Sequence, residues 1–193
     1  NYPFTNSKNS IGAIYIIRDP RNVITSIKNH FQLSFEKAFE FLSDQRNALS
    51  AFQENEKNKY FQPLGSWNNH VNSWIKNKSF PVLKIRYEDL TLSTFETFKE
   101  IVQFINKITK SDKKFNRNKA INAIKNTNFE RLKNMEKEKG FEESRINQET
   151  GKKIEFFYLG NKNNYSNILS QDLINRIIDK FKDDLKLIII IRY

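Results

Sequence analysis

Apolar residues in this chain follow a strand-like spacing in some stretches and a helical spacing in others. The β-branched run over 13–17 predicts a strand buried on both faces, as in a parallel sheet. A similar run over 82–87 predicts a second strand. Helical spacing follows each run, with predicted helices beginning at Pro20 and Ser93 and covering 34–51, 67–75, 116–125, 129–139 and 170–186. Strands that alternate with helices favour an α/β layered fold.

Local signals support two of these helix starts. Asp19 can accept hydrogen bonds from the free amides of a first turn, and Pro20 suits the first helical position because its missing N–H has no partner to lose. Ser93-Thr94-Phe95-Glu96 matches a capping box. The segment over 140–153 is polar without a period and predicts a loop.

Composition narrows the function classes. The 193 residues fit one domain over 1–193, and 38% hydrophobic content with 17 Phe provides a core. A formal charge of +11 favours anionic partners, although the lysines are spread along the chain and a compositional bias accounts for much of it.

Residue counts also exclude some chemistry. The absence of Cys excludes disulfides and thiolate metal sites, and two His exclude a multi-His metal site. No signal peptide is visible in the polar first residues, and no apolar run is long enough for a membrane span. The expected location is cytoplasmic. The run over 187–191 is too short to cross a bilayer and predicts a terminal strand or a helix end.

One segment predicts an anion site. Arg18 follows the first strand, where ligands of open α/β sheets bind, and Ser26 lies about two turns into the next helix on a similar face. Helix N-termini favour anions, and the planar guanidinium fork suits phosphate. The alternative is a surface arginine beside a buried strand and a capped helix.

Four stretches together resemble sequence motifs of the PAPS-dependent sulfotransferases. These enzymes use 3′-phosphoadenosine 5′-phosphosulfate (PAPS) as the sulfuryl donor. The R-D-P-R-N-V run over 18–23 with Ser26 resembles one family signature. A W-x-x-H-x-x-x-W helix over 67–74 leads into a strand ending in Y-E-D-L over 87–90. The N-T-N-F run over 126–129 is similar to the family's T-S-F element, and 156–160 takes the place of its last nucleotide-binding loop.

The resemblance implies a P-loop-like α/β fold with a parallel sheet, PAPS or its product PAP as cosubstrate, and no metal. The activity implied is transfer of a sulfuryl group to a hydroxyl or amine of a small molecule or glycan. Arg18 and Ser26 would bind the 3′-phosphate, and Tyr87 would reach the nucleotide. Thr127 and Phe129 would lie around the adenine. The implied nucleotide-binding set is Arg18, Ser26, Tyr87, Thr127, Phe129 and Gly160.

The chain also departs from the family. Tyr158 and Leu159 stand where the family has an Arg-Lys pair for the 3′-phosphate. The candidates to replace that pair are Lys152, Lys153 and Lys162, and backbone amides near Gly160 would still approach the nucleotide.

Two family elements, the strand–P-loop–helix and the His that acts as general base, have no counterpart and are expected upstream of Asn1. Sulfuryl transfer needs a general base and preorganised positive charge around the sulfuryl group, and these two elements supply them in the family. We therefore predict no catalytic residue within the chain. We expect the piece alone to be inactive, with the oligomeric state left open.

His70 is predicted to be a packed or hydrogen-bonded core residue between Trp67 and Trp74, not the missing base, and His30 is predicted at a rim. The alternative function is a non-enzymatic basic module that binds nucleic acid or another polyanion. The chain has no known nucleic-acid-binding motif, however, and we do not expect nucleic acid as a partner. A nucleotide kinase fits the order of motifs less well than a sulfotransferase.

Overall fold

The computed structural model describes residues 8–51, 60–147 and 149–190. The fold is mixed α/β and mostly helical. The helices of the described residues are α1 (Pro20–Phe31), α2 (Phe35–Ser43), α3 (Trp67–Ile75), α4 (Tyr87–Leu92), α5 (Thr94–Ile108), α6 (Arg117–Asn126), α7 (Phe129–Lys139) and α8 (Gln171–Ile190). None of these helices is both long and apolar enough to cross a bilayer.

The two predicted strands pair with each other in parallel. Strand β1 (Ala13–Ile17) aligns with β4 (Val82–Arg86), so that their carboxyl ends lie at the same edge. A separate antiparallel pair is formed by β2 (Ala48–Ala51) and β3 (Tyr60–Pro63). The parallel pair positions the residues that follow β1 and β4 next to each other.

Strand β1 is covered on one face only. Tyr15 and Ile17 are buried, whereas Ile14 and Ile16 remain 39% and 48% exposed. On that second face α5 packs against β4, where Ile85 is buried. The prediction of a strand buried on both faces is therefore wrong for β1. Within the described residues, the helix on that second face, α5, packs over β4 and not over β1.

The main core lies between the first face of β1 and helices α1, α2, α3 and α8. Its largest fully buried side chain, Phe181, sits at a kink in α8 and meets the Trp67 ring edge-on at 5.2 Å. The other buried members of this core are Tyr15, Ile17, Ile24, Ala38, Leu42, Val71, Leu169, Leu173, Ile174, Ile177 and Ile188.

His70 is half-buried at the edge of this core and forms a hydrogen bond with one of its members, in line with the prediction. Its Nδ1 lies 2.9 Å from the hydroxyl of Tyr15, whose ring stacks on Trp74 with centroids 5.5 Å apart. Burial lowers the pKa of His70 and raises that of Tyr15. Packing and the hydrogen bond to Tyr15 thus account for the place of His70, which suits a structural role.

Two predicted boundaries and one predicted capping contact are wrong. The helix predicted over 34–51 ends at Ser43, because Asp44 accepts from the Arg46 amide in a turn and the chain then enters β2. The second strand ends one residue early, since Tyr87 already begins α4. Ser93 precedes α5, but its side chain makes no capping hydrogen bond because the same residue terminates α4.

The C-terminal apolar run is the end of a helix. Helix α8 continues through residue 190, so the terminal-strand alternative is excluded for the residues that the structure describes there.

Candidate nucleotide site

One cavity of about 730 Å³ opens beyond the carboxyl ends of β1 and β4. Its walls come from α1, α4, the junction of α6 and α7, and the last loop, by which we mean residues 155–165. All six residues of the predicted nucleotide set line it: Arg18, Ser26, Tyr87, Thr127, Phe129 and Gly160. Residues far apart in sequence therefore meet in one place, although their role as ligands to a nucleotide remains a prediction.

Arg18 and Tyr87 form the sheet side of the cavity. Each follows one of the two parallel strands, so the pairing brings them together. The guanidinium carbon of Arg18 lies 4.2 Å from the centroid of the Tyr87 ring, a cation–π distance. Stacking on the ring holds the guanidinium plane while its edge remains available for hydrogen bonds.

The Arg18 Nε is buried and has no hydrogen-bond partner. Buried polar groups in native structures are nearly always paired, so an orphaned donor indicates a missing acceptor. An anionic oxygen in the cavity would supply that acceptor, and a phosphate matches the guanidinium fork.

Helix α1 begins as the sequence predicts. Asp19 is its N-cap and accepts from the Arg21 amide at 2.9 Å, with Pro20 at the start of the helix. Arg21 also donates its Nε to Asp19 and lies over the ring of Tyr165 at 4.2 Å. Arg21 is thereby engaged within the protein, whereas Ser26, two turns on, is exposed on the cavity wall.

The junction of α6 and α7 presents Thr127 and Phe129. Thr127 terminates α6 and donates its hydroxyl to the carbonyl of Ala123 at 2.9 Å, which leaves the oxygen lone pairs as acceptors. Asn128 caps α7 by accepting from the Arg131 amide at 2.9 Å. This tight turn fixes the Phe129 ring at the first position of α7.

Gly160 lies directly against the Phe129 ring. Its φ of +54° is in the left-handed region, and a Cβ placed on it would lie 2.6 Å from the ring. Glycine is therefore required here twice, for the backbone angle and for the close approach. Gly160 and the Phe129 ring therefore form one continuous part of the cavity wall.

The last loop is anchored to α1 by Asn163, which the sequence did not single out. Its Nδ2 donates to the carbonyl of Asn22 at 3.0 Å, and its Oδ1 accepts from the Thr25 hydroxyl at 2.7 Å. The side chain of Asn22 in turn accepts from the Tyr165 amide at 3.0 Å. Asn163 and Thr25 are both buried, so these bonds form an enclosed polar bridge.

Glu136 on α7 anchors the other end of the last loop and was likewise missed. Its carboxylate accepts from the backbone amides of Phe156 and Phe157 at 2.7 and 2.9 Å, and from the Ser144 hydroxyl at 2.6 Å. Desolvation opposes its ionisation, but these hydrogen bonds and the charge of Lys133 together lower the pKa of Glu136. No local sequence pattern marks such a contact, since 20 residues separate the carboxylate from the first amide.

The charge of the cavity differs from the prediction. Lys152, Lys153 and Lys162, proposed to replace the family's Arg-Lys pair, are not among its lining residues. Arg18 is the one Lys or Arg among the described residues that line it. His30 lies at the wall beside Phe156, and desolvation with the nearby Arg145 lowers its pKa. Among the described residues no cluster fit to bind a metal ion is found.

A family model decides the identity of the chain. The model of the sulfotransferase domain matches residues 3–188. This chain belongs to the sulfotransferase family. Comparison with curated protein sequences gives no match for this sulfotransferase domain.

A solved structure supports the fold. The sulfotransferase domain is similar to the crystal structure of mouse sulfotransferase SULT7A1 complexed with PAP, with a TM-score of 0.55 and 16% sequence identity. The match covers 93% of this chain and 59% of the mouse chain. The predicted family and α/β sulfotransferase-like fold are thus confirmed at this level.

Proposed function

We propose that the cavity binds PAP and PAPS, and that the domain takes part in transfer of a sulfuryl group from PAPS to a hydroxyl or amine of a small molecule or glycan. Arg18 and Ser26 hold the 3′-phosphate, Tyr87 supports Arg18 and contacts the nucleotide, and Thr127 and Phe129 border the adenine. The observation that carries the proposal is the orphaned Nε of Arg18, stacked on Tyr87 in a cavity that all six signature residues share.

The cavity fits the chemistry of the nucleotide. The guanidinium offers a permanent positive charge to a phosphate, and the Phe129 ring, which packs against Gly160, offers an aromatic surface to a flat base. The mouse structure with PAP supports the choice of ligand, through a shared fold and family.

The role proposed for these residues is binding and orientation of the donor. In the reaction the acceptor oxygen or nitrogen attacks sulfur, the bond from sulfur to the 5′-phosphate oxygen breaks, and PAP leaves. Binding energy at the far end of the nucleotide positions the reacting end. Arg18, Ser26 and the last loop supply that remote contact, and no proton transfer is assigned to them.

A calorimetric titration of PAP tests the proposal. Arg18→Ala should weaken binding by about 10- to 100-fold, because a hydrogen bond to a charged group contributes roughly 1.5–3 kcal/mol. Arg46→Ala is the matched control, since the Arg46 side chain is 92% exposed. It should leave the affinity unchanged.

Adenosine 5′-monophosphate lacks the 3′-phosphate and completes a thermodynamic cycle of two ligands and two protein variants. It should bind the wild-type chain more weakly than PAP and bind Arg18→Ala about as well as the wild type. Absence of saturable PAP binding, or equal affinities of wild type and Arg18→Ala, would refute the proposal. A polyanion-binding module would instead show steep salt dependence and no preference for PAP.

A further inference from the structure

The last loop shapes more of the cavity than any other segment of the described residues. Residues 155–161 and Asn163 all line it, compared with five residues of α1. Tyr158 and Leu159 in this loop carry no charge that would draw it onto a phosphate. The position of the loop must therefore be set by contacts within the protein.

Glu136 makes the most specific of these contacts. Its two carboxylate oxygens accept from two consecutive amides, those of Phe156 and Phe157, so both peptide planes are fixed at once. Hydrogen bonds from amides to an ionised carboxylate are short and about twice as strong as neutral ones. The Ser144 hydroxyl, 2.6 Å from Oε1, fixes the rotamer of the carboxylate.

Glu136 acts from behind the loop. It is not among the residues that line the cavity, so it has no direct contact with a ligand there. On the same helix Lys133 donates to the carbonyl of Tyr158 at 3.0 Å and pairs with Glu155 at 2.9 Å. Helix α7 thus presents Phe129 to the cavity at its first residue and holds the loop four and seven residues later.

We propose that Glu136 is a positioning residue for the nucleotide site: it fixes the amides of residues 156 and 157 and thereby seats Gly160 against Phe129. This role rests on the proposed function. It assigns the preorganisation of the last loop to a side chain outside the cavity and outside the family signature.

The test compares Glu136→Gln with Glu138→Gln. Both remove one carboxylate from α7, but Glu138 is exposed and makes no contact with the loop among the described hydrogen bonds and ion pairs. Two quantities are measured: the PAP dissociation constant by calorimetry, and the hydrogen–deuterium exchange rates of the residue 156 and 157 amides. Glu136→Gln should accelerate exchange at these two amides and weaken PAP on the order of tenfold. Glu138→Gln should change neither.

Glu136→Asp is a second variant that guards against misfolding. It keeps the charge but shortens the side chain by one methylene, so the carboxylate no longer reaches both amides. It should move the same two quantities in the same direction.

Three results would overturn the positioning role. They are unchanged exchange at residues 156 and 157, faster exchange there with unchanged PAP affinity, and faster exchange spread uniformly over the chain, which would indicate general destabilisation. Failure of the wild-type chain to bind PAP would overturn the proposed function and this role with it. Failure of the proposed function can be told apart from failure of the positioning role, because the wild-type titration is done before any variant is made.

Discussion

Gly160 and Gly151 offer a matched pair for testing the geometry of the nucleotide site. Both have a positive φ, +54° and +66°. An added Cβ at Gly160 would meet three atoms of the Phe129 ring at 2.6–2.7 Å, whereas one at Gly151 would meet nothing within 4 Å. Substitution to Ala therefore imposes the same backbone strain at both sites and a ring clash at only one.

The magnitudes follow from these distances. An L-residue in the left-handed region costs about 1–2 kcal/mol, which both variants incur. Carbon atoms pack at about 3.5–4.0 Å, so the Phe129 ring must retreat by roughly 1 Å in Gly160→Ala. Such overpacking adds about 1–3 kcal/mol. At about 2–4 °C per kcal/mol for a domain of this size, Gly151→Ala should lower Tm by a few degrees and Gly160→Ala by roughly twice as much.

Binding separates the two variants further. The displaced ring belongs to the proposed adenine wall, so Gly160→Ala should weaken PAP at least about tenfold, a difference of ~1.4 kcal/mol. Gly151→Ala should bind PAP like the wild type. Thermal unfolding gives the first comparison, and calorimetry gives the second. Equal Tm shifts with equal PAP affinities would refute the close approach of Gly160 to Phe129 as a feature of the site.

Two further perturbations concern buried polar groups. Asn163→Ala should lower the free energy of unfolding by about 1 kcal/mol, measured with urea, because two hydrogen bonds are lost while the Thr25 hydroxyl can still donate to the carbonyl of Asn22 at 2.8 Å; an unchanged midpoint would contradict the polar bridge. Burial lowers the pKa of His70, so the unfolded chain binds the extra proton first, and stability should fall as the pH drops below about 6.5 until the lowered folded pKa is passed. In His70→Gln the urea midpoint should depend less on pH between about pH 7.5 and 5.5, and the remaining dependence should come from His30. An unchanged pH dependence would contradict the assignment to His70.

Some of the cavity follows from local signals. The two strands were recognisable from their apolar runs, and the rule that parallel strands end at one edge places Arg18 beside Tyr87. Asp19 and Pro20 mark the start of α1 through capping chemistry that involves neighbouring residues only. For Thr127, Phe129 and Gly160 the resemblance to a family was needed, because nothing local relates Phe129 to Gly160, 31 residues later.

The features that were missed depend on distant partners. Glu136 and Asn163 hold the last loop through hydrogen bonds that span 20 and about 140 residues. A polar residue in a polar segment has the same local pattern whether it faces solvent or a backbone amide. The sequence pattern predicts helix at Ala48–Ala51 for the same reason, since the pairing of this strand with Tyr60–Pro63 lies outside any local window.

The polar bridge at Asn163 and the carboxylate contact at Glu136 also decide when the last loop becomes ordered. Fixing a residue's backbone costs about 1–2 kcal/mol in entropy, so the eight residues over 156–163 represent roughly 8–16 kcal/mol. With hydrogen bonds at both ends, that entropy is lost when the chain folds and not when a ligand arrives. A ligand that enters the cavity meets a wall already in place, and its association should be fast and show little of the unfavourable entropy that accompanies the closing of a loop.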